Sequence, residues 1–261
     1  NYDGDAYNVA VGYNAGHDVT TGVNNTIIGG LAGDALTTGS HNIAIGYEAL
    51  TTEDTGQRNV AIGYNALKDL NYDGAAYNVA IGFDAGANVS TGIDNVIIGG
   101  LAGDAMTTGF SNTYVGKSSG GATTIGNSNV AIGHNALLTN VAADRNIAIG
   151  VNALYSMTAA STADHYNIGI GYNAGYAITS GTLNLITGSF AGDSLTTGER
   201  NTAYGHYALS EEDGNGYNVA VGYAALMNLN AGSDAFNVAM GYNAGLALTT
   251  GVQNTIVGGL A

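Results

Sequence analysis

The chain predicts an all-β fold, a β-solenoid or β-roll, and two observations carry that prediction. An asparagine and a glycine recur together as N-x-x-x-G fifteen times, and eleven of the fourteen steps between successive asparagines are 17 residues; the others are 19, 21 and 19. A period that short makes each unit one coil of a stack, because a single unit cannot bury an apolar face by itself. The second observation is an apolar, largely β-branched triplet directly after each asparagine, with the alternation of a short strand. The expected architecture is about fifteen 17-residue coils over residues 1–261, read as a single continuous repeat segment of a longer fibre.

Each coil can be numbered from its asparagine as position 0: Asn8, Asn25, Asn42, Asn59, and so on to Asn254. An asparagine at a coil corner tolerates left-handed backbone, and its amide can bond the coils on either side as a ladder. Position 4 is glycine in every copy, starting with Gly12, Gly29, Gly46 and Gly63. Glycine there fits a positive φ or a close backbone approach. Positions 1 and 3, two residues apart, are assigned to the interior row. Position 2 then points outward, yet it is apolar too: Ala10, Ile27, Ala44, Ala61, Ala80, Ile97. An exposed apolar stripe marks an interface, so this row is the expected seam of an oligomer. Position 7 is alanine in all copies but one, Ser119, as a tight inward corner requires. Position 11 supplies a weaker apolar row, expected as a second strand and broken by Glu53, Asn140 and Glu212.

A longer period lies above the first. Position 8 is glycine in some coils (Gly16, Gly33, Gly86, Gly103) and leucine in others (Leu50, Leu67, Leu137, Leu154). Four-coil blocks start near residues 1, 71, 160 and 230, with one extra coil in the middle. Each block ends in a longer coil, whose insertion is expected along one edge. Seventeen residues at about 3.3 Å give a contour of about 56 Å, and fifteen coils at about 4.8 Å make a rod of roughly 70 Å.

Composition narrows the function. There are 42 glycines, no proline, no cysteine and no tryptophan, and only 10% of residues are charged, too few for a solvating disordered chain. The formal charge of −15 disfavours nucleic acid and anionic membrane as partners. No apolar run reaches the ~18 residues of a membrane span, so no membrane insertion is expected. The absence of cysteine excludes a disulfide scaffold and a thiolate metal site.

No catalytic residue stands out from the repeat, and an enzyme is not expected. His17, His41, His134, His165 and His206 are scattered over the coil positions, and the glycine runs lack a P-loop lysine. No cofactor is expected either, with Ca²⁺ as the one candidate. Asp34 and Asp104 end G-G-L-A-G-D strings, near matches to a calcium-binding nonapeptide, and Asp193 holds the same place in S-F-A-G-D. A calcium ion takes six to eight oxygens, and one carboxylate per distant coil supplies too few, so these read first as turn residues. Position 5 forms a surface aromatic ladder of Tyr13, Tyr47, Tyr64, Phe83, Tyr172, Tyr223 and Tyr242. It reads first as cross-coil stacking and second as a glycan site. Threonine pairs at positions 12 and 13, such as Thr37 and Thr38, raise an ice-binding alternative, although T-T-G is also a simple turn. Arg58, Arg145 and Arg200 each precede a repeat asparagine, where acids such as Glu53, Asp54, Glu211 or Glu212 are candidate partners.

The string N-x-A-x-G-x-x-A, as in Asn42 to Ala49 and Asn59 to Ala66, resembles the head repeats of YadA-like trimeric autotransporter adhesins. It also resembles the repeats of bacteriophage tail fibres, marine phage fibres especially through the T-T-G-x-x-N segments. The resemblance covers essentially the whole chain. It implies a left-handed β-roll in a parallel homotrimer, extracellular at a cell surface or on a virion. The implied role is that of a structural or adhesive spacer whose partners are its own copies and a cell-surface glycan or protein receptor. Self-assembly into a filament, and an ice- or glycan-binding solenoid, are the alternatives.

Overall fold

The computed structural model describes residues 6–158 and 163–261. The chain divides into two compact units, Asn1–Ser128 and Asn129–Ala261, and each is a parallel β-solenoid. The first unit carries β1 (Val9–Val11), β2 (Thr26–Ile28), β3 (Ile43–Ile45), β4 (Val60–Ile62), β5 (Val79–Ile81), β6 (Val96–Ile98) and β7 (Thr113–Val115). The second carries β8 (Val130–Ile132), β9 (Ile147–Ile149), β10 (Ile168–Ile170), β11 (Leu185–Thr187), β12 (Thr202–Tyr204), β13 (Val219–Val221), β14 (Val238–Met240) and β15 (Thr255–Val257). Within each unit consecutive strands pair in parallel, so that every repeat position sits beside its own copy. The longer coils keep this register: Val60 faces Val79, Ile147 faces Ile168 and Val219 faces Val238. Of the expected block starts, those near 71 and 230 fall in the loops of long coils, and those near 1 and 160 lie outside the described residues.

The strand faces are the reverse of the expected ones. Ile27, Ala44, Ala61, Ala80 and Ile97 are buried in the core; Ala10, in the first described coil, is exposed. The outward rows are positions 1 and 3. Strand alternation separates two faces but does not say which is inside, and here all three positions are apolar. Space decides it. The coil is thin, and position 2 shares the core with the alanine of position 7 and with positions 8 and 11. Where position 8 is leucine, as at Leu50 and Leu67, position 2 is alanine; the larger residues Ile27, Ile97, Tyr114 and Ile186 stand at position 2 in coils where position 8 is glycine. A Cβ on Gly16 or Gly86 would lie 2.8 Å from the δ-methyl of Ile27 or Ile97 in the following coil. The four-coil period is thus an exchange of volume between two core positions.

Position 11 contributes to the core without forming a strand. Leu36, Leu70, Val89, Met106, Ile178, Leu195 and Leu229 are fully buried in the turn region. Its four polar members, Glu53, Thr123, Asn140 and Glu212, are buried as well, and all but Thr123 lie in the coil before a long one. Glu53 accepts the amide of Gly56 in its own turn at 2.7 Å and that of Tyr72 in the next coil's insertion at 3.2 Å. Glu212 accepts from the Asn215 side chain at 2.8 Å and from the Ala231 amide at 3.4 Å. Asn140 accepts from the Ala143 amide at 2.9 Å and donates to its carbonyl at 3.1 Å. An insertion diverts the next coil's turn while its strand stays in register, and these side chains take up amides left by the altered turn.

Asparagine binds coil to coil. Asn42 donates its Nδ2 to the Gly56 carbonyl at 2.8 Å, closing its own coil, and its Oδ1 accepts the Asn59 amide at 2.9 Å. The same pair of bonds recurs at Asn25 and Asn78. In the long coils the first bond changes. Asn146 and Asn218 donate instead to the carbonyls two residues before them, and Nδ2 of Asn59 is buried without a partner. The left-handed backbone expected at the asparagine belongs to its neighbour: the preceding residue, as at Tyr7, His41 and Arg58, has φ of 49–62°. Position 6 and position 8 are left-handed too, the latter even where it is leucine (Leu50 φ 54°, Leu67 φ 47°). Gly46 meets both reasons for glycine: its φ is 138°, and a Cβ there would lie 2.2 Å from the Gly63 carbonyl oxygen.

This packing makes the asparagine and the buried acids the sensitive points. Asn42→Ala leaves the Asn59 amide and the Gly56 carbonyl buried and unpaired, and is expected to cost about 2–5 kcal/mol in a denaturant titration, given about 1–3 kcal/mol for each orphaned group. Burial raises the carboxyl of Glu53 above its ordinary pKa, and does the same at Asp104 and Asp193. The folded state therefore holds these protons more tightly than the unfolded one. Their effect favours folding below the unfolded carboxylate pKa of about 4 and is lost as pH rises through the raised folded values. Melting temperature is expected to fall as pH rises from about 4 through the raised folded values, and Glu53→Gln to flatten that slope.

Candidate contact surfaces

Side chains leave the coils along three tracks: the outward strand face, the aromatic column at positions 5 and 6, and the edge formed by the residue before each asparagine. The strand face consists of positions 1 and 3. Ile28, Ile43, Ile81, Ile132, Ile170 and Met240 are among its exposed members. Across all fifteen strands these two positions hold only aliphatic residues, threonine, Met240 and one tyrosine, Tyr204. A parallel sheet is ordinarily covered on both faces, and this one is covered on one.

The position-5 column forms two runs. In the first unit Tyr47, Tyr64 and Phe83 stack with centroids 5.4 and 5.2 Å apart, nearly parallel. In the second, Tyr172 meets Phe190 edge-on at 5.2 Å, Phe190 stacks on Tyr207 at 5.3 Å, His206 stacks on Tyr223 at 5.7 Å, and Tyr223 stacks on Tyr242 at 5.4 Å. Phe190 and Tyr207 stand at position 6, outside the expected ladder. They join it because the left-handed turn brings position 6 beside position 5. The rings spend their faces on one another and show mainly edges to solvent. Tyr13 stands apart from the first run, one coil beyond Gly30.

Along the third track every arginine of the chain lies over a tyrosine one coil on. Arg58 is 5.6 Å from the Tyr77 ring, Arg145 5.8 Å from Tyr166 and Arg200 5.3 Å from Tyr217. Parallel register aligns the position before the asparagine with its own copy, so the guanidinium reaches the ring before any distant acid. Arg145 also pairs with Asp164 and Arg200 with Glu199. Glu53 and Glu212, expected as arginine partners, are instead turned inward onto backbone amides. Exposed cation–ring contacts of this kind contribute about 0.5–1 kcal/mol.

The remaining candidates are held by local bonds. Asp193 accepts the Ser210 hydroxyl at 2.8 Å. Asp34, Asp104 and Asp193 stand in separate coils, and among the described residues no three metal-binding side chains come together. Position-12 hydroxyls are used within the stack: Thr37 donates to the Asp54 carbonyl, Thr107 to Thr124 and Thr179 to Thr196. That leaves position 13, exposed at Thr38 and Thr108, with only short runs of hydroxyls. His17 bonds Asp18, His41 bonds Asn24, and His165 bonds the Ala163 carbonyl. No cavity is enclosed among the described residues.

Melting curves in EDTA and in millimolar Ca²⁺ are expected to superimpose, because among the described residues no three metal-binding side chains meet at any of the three aspartates and a calcium ion takes six to eight oxygens. Comparison of the chain with protein-family models, with curated proteins and with solved structures finds no match.

Proposed function

We propose that the chain is a non-enzymatic structural and adhesive segment of an extracellular fibre, a phage tail-fibre or surface-adhesin shaft. Its copies pack as a homotrimer through the outward strand face. The observation that carries this reading is the absence of charge at positions 1 and 3 in every coil, on a chain whose formal charge is −15. Solubility alone asks for charge on such a face, and a long apolar track marks an interface. The seam assigned to position 2 in the sequence thus passes to positions 1 and 3, and the expectation of self-association passes with it. The resemblance to trimeric adhesin heads supports three copies, parallel alignment and a left-handed coil. The fibre's work is mechanical: coil-to-coil hydrogen bonds give stiffness, and the aromatic column and coil edges offer contacts to a receptor.

Sedimentation and negative-stain electron microscopy test this. Expected are short rods with the mass of three chains. A concentration-independent monomer overturns the reading, and long end-to-end polymers favour the filament alternative. Ile45→Lys with Ile62→Lys is expected to release monomers with an unchanged β-type circular dichroism spectrum. Ala61→Lys, which places a charge in the core, is expected to abolish folding.

A further inference from the structure

The aromatic column of the first unit is interrupted at Gly30 and Gly100, the glycines that stand at position 5 on either side of the Tyr47–Tyr64–Phe83 stack. These interruptions leave two ring faces without a stacking neighbour. A Cβ on Gly30 would lie 3.4 Å from Tyr47 Cδ2, so the Tyr47 ring leans over the glycine. On the other side of Gly30 stands Tyr13, 77% exposed. Tyr13 and Tyr47 are two coils apart, about 9.6 Å at the spacing of paired strands, which is the separation of two rings with one more between them. At Gly100 the only atom within 4 Å of an added Cβ is the Phe83 carbonyl oxygen, and the next position 5 is the exposed Lys117.

The chain itself shows that such a gap is ring-sized. In the second unit the corresponding dipeptide is Ser189–Phe190, and Phe190 puts its ring between Tyr172 and the His206/Tyr207 pair. In the first unit the same dipeptide is Gly30–Leu31 and Gly100–Leu101. The backbone is the same, with φ of 57° at Leu31, 58° at Leu101 and 56° at Phe190. Leucine supplies no flat ring, so the column has no aromatic ring at these two steps.

We infer that the Gly30 and Gly100 gaps are stacking sites for a neutral pyranose with equatorial hydroxyls, a glucose- or xylose-type unit of a glycan chain. The C–H face of such a sugar is flat and apolar and meets the electron-rich face of an aromatic ring. Around the Gly30 gap are the groups that sugar hydroxyls need: Asn14 on the first coil, and the Tyr47 hydroxyl beside the Glu48 carboxylate on the third. The Glu48 carboxylate holds the Tyr47 proton, raising that hydroxyl's pKa, and lies 3.5 Å from the Lys68 ammonium. The net negative charge disfavours acidic sugars. The inference rests on the adhesive half of the proposed function and names its ligand class.

Tyrosine fluorescence and calorimetric titration with cellohexaose and xylohexaose test it, with hexagalacturonate as the acidic control. Expected is saturable binding of the neutral probes with high-micromolar to millimolar Kd and none of the control. The combined variant Gly30→Ser, Leu31→Phe, Gly100→Ser, Leu101→Phe copies a dipeptide the fold already uses, and its melting curve checks that it folds. It is expected to weaken binding at least ten-fold. Failure of the wild type to bind either neutral probe, or undiminished binding by the folded variant, overturns the inference. So does binding of N-acetyltryptophanamide alone, which assigns the gap to a protein side chain. Sedimentation of the same samples keeps the two readings apart: a monomer that binds sugar overturns only the homotrimeric fibre, and a trimer that binds none overturns only the glycan site.

Discussion

Everything in this fold hangs from a single amide. The repeat asparagine closes its own coil with one end and holds the next coil with the other, and both bonds are buried. A three-residue strand alone makes a weak join, and the core beneath it is narrow, filled in each coil by a few aliphatic side chains. The amide converts those small contributions into a directional link that repeats without loss of register. Buried amides of this kind are costly when unpaired, so each asparagine also enforces the position of its neighbour.

The long coils show how the chain manages exceptions. An insertion breaks the closing bond of the asparagine, as at Asn59, Asn146 and Asn218. The coil before it replaces a core leucine with Glu53, Asn140 or Glu212; Glu53 and Glu212 accept amides of the inserted backbone, and Asn140 bonds the turn of its own coil. A buried carboxylate is an expensive way to do this, and the raised pKa of Glu53 records that cost.

Much of this was legible in the sequence, and the reasons for the misses are specific. Period, parallel register and the asparagine ladder can be read from N-x-x-x-G because a fixed spacing leaves one way to stack. The strand faces were inverted because Val60, Ala61 and Ile62 are all apolar, and alternation carries no sign when both faces are. The size exchange between positions 2 and 8 held the missing information: only residues sharing a confined space trade volume. The left-handed positions were also written there, since valine, isoleucine and threonine never occur before the asparagine or at position 6, as β-branched residues avoid that conformation. Glu53, Asn140 and Glu212 looked like interruptions of a row until their place before the long coils gave them a task. The partnership of Phe190 with Tyr172 needed the turn geometry, which spacing alone does not supply.

A stack of near-identical coils faces a hazard that ordinary domains do not, since any coil could settle one step too far along. The exchange of volume in the core works against such slippage. Leu67, Leu154 and Leu226 each press against the glycine of the following coil, Gly86, Gly175 and Gly245, where an added Cβ would lie 3.2, 2.9 and 2.8 Å from the leucine. Glu53 and Glu212 likewise each bond an amide of the following insertion, Tyr72 and Ala231. Each coil is therefore keyed to its successor, like teeth of unequal depth. The key repeats with the block, so during folding a shift of one coil is penalised, whereas a shift of a whole block meets nearly the same teeth again.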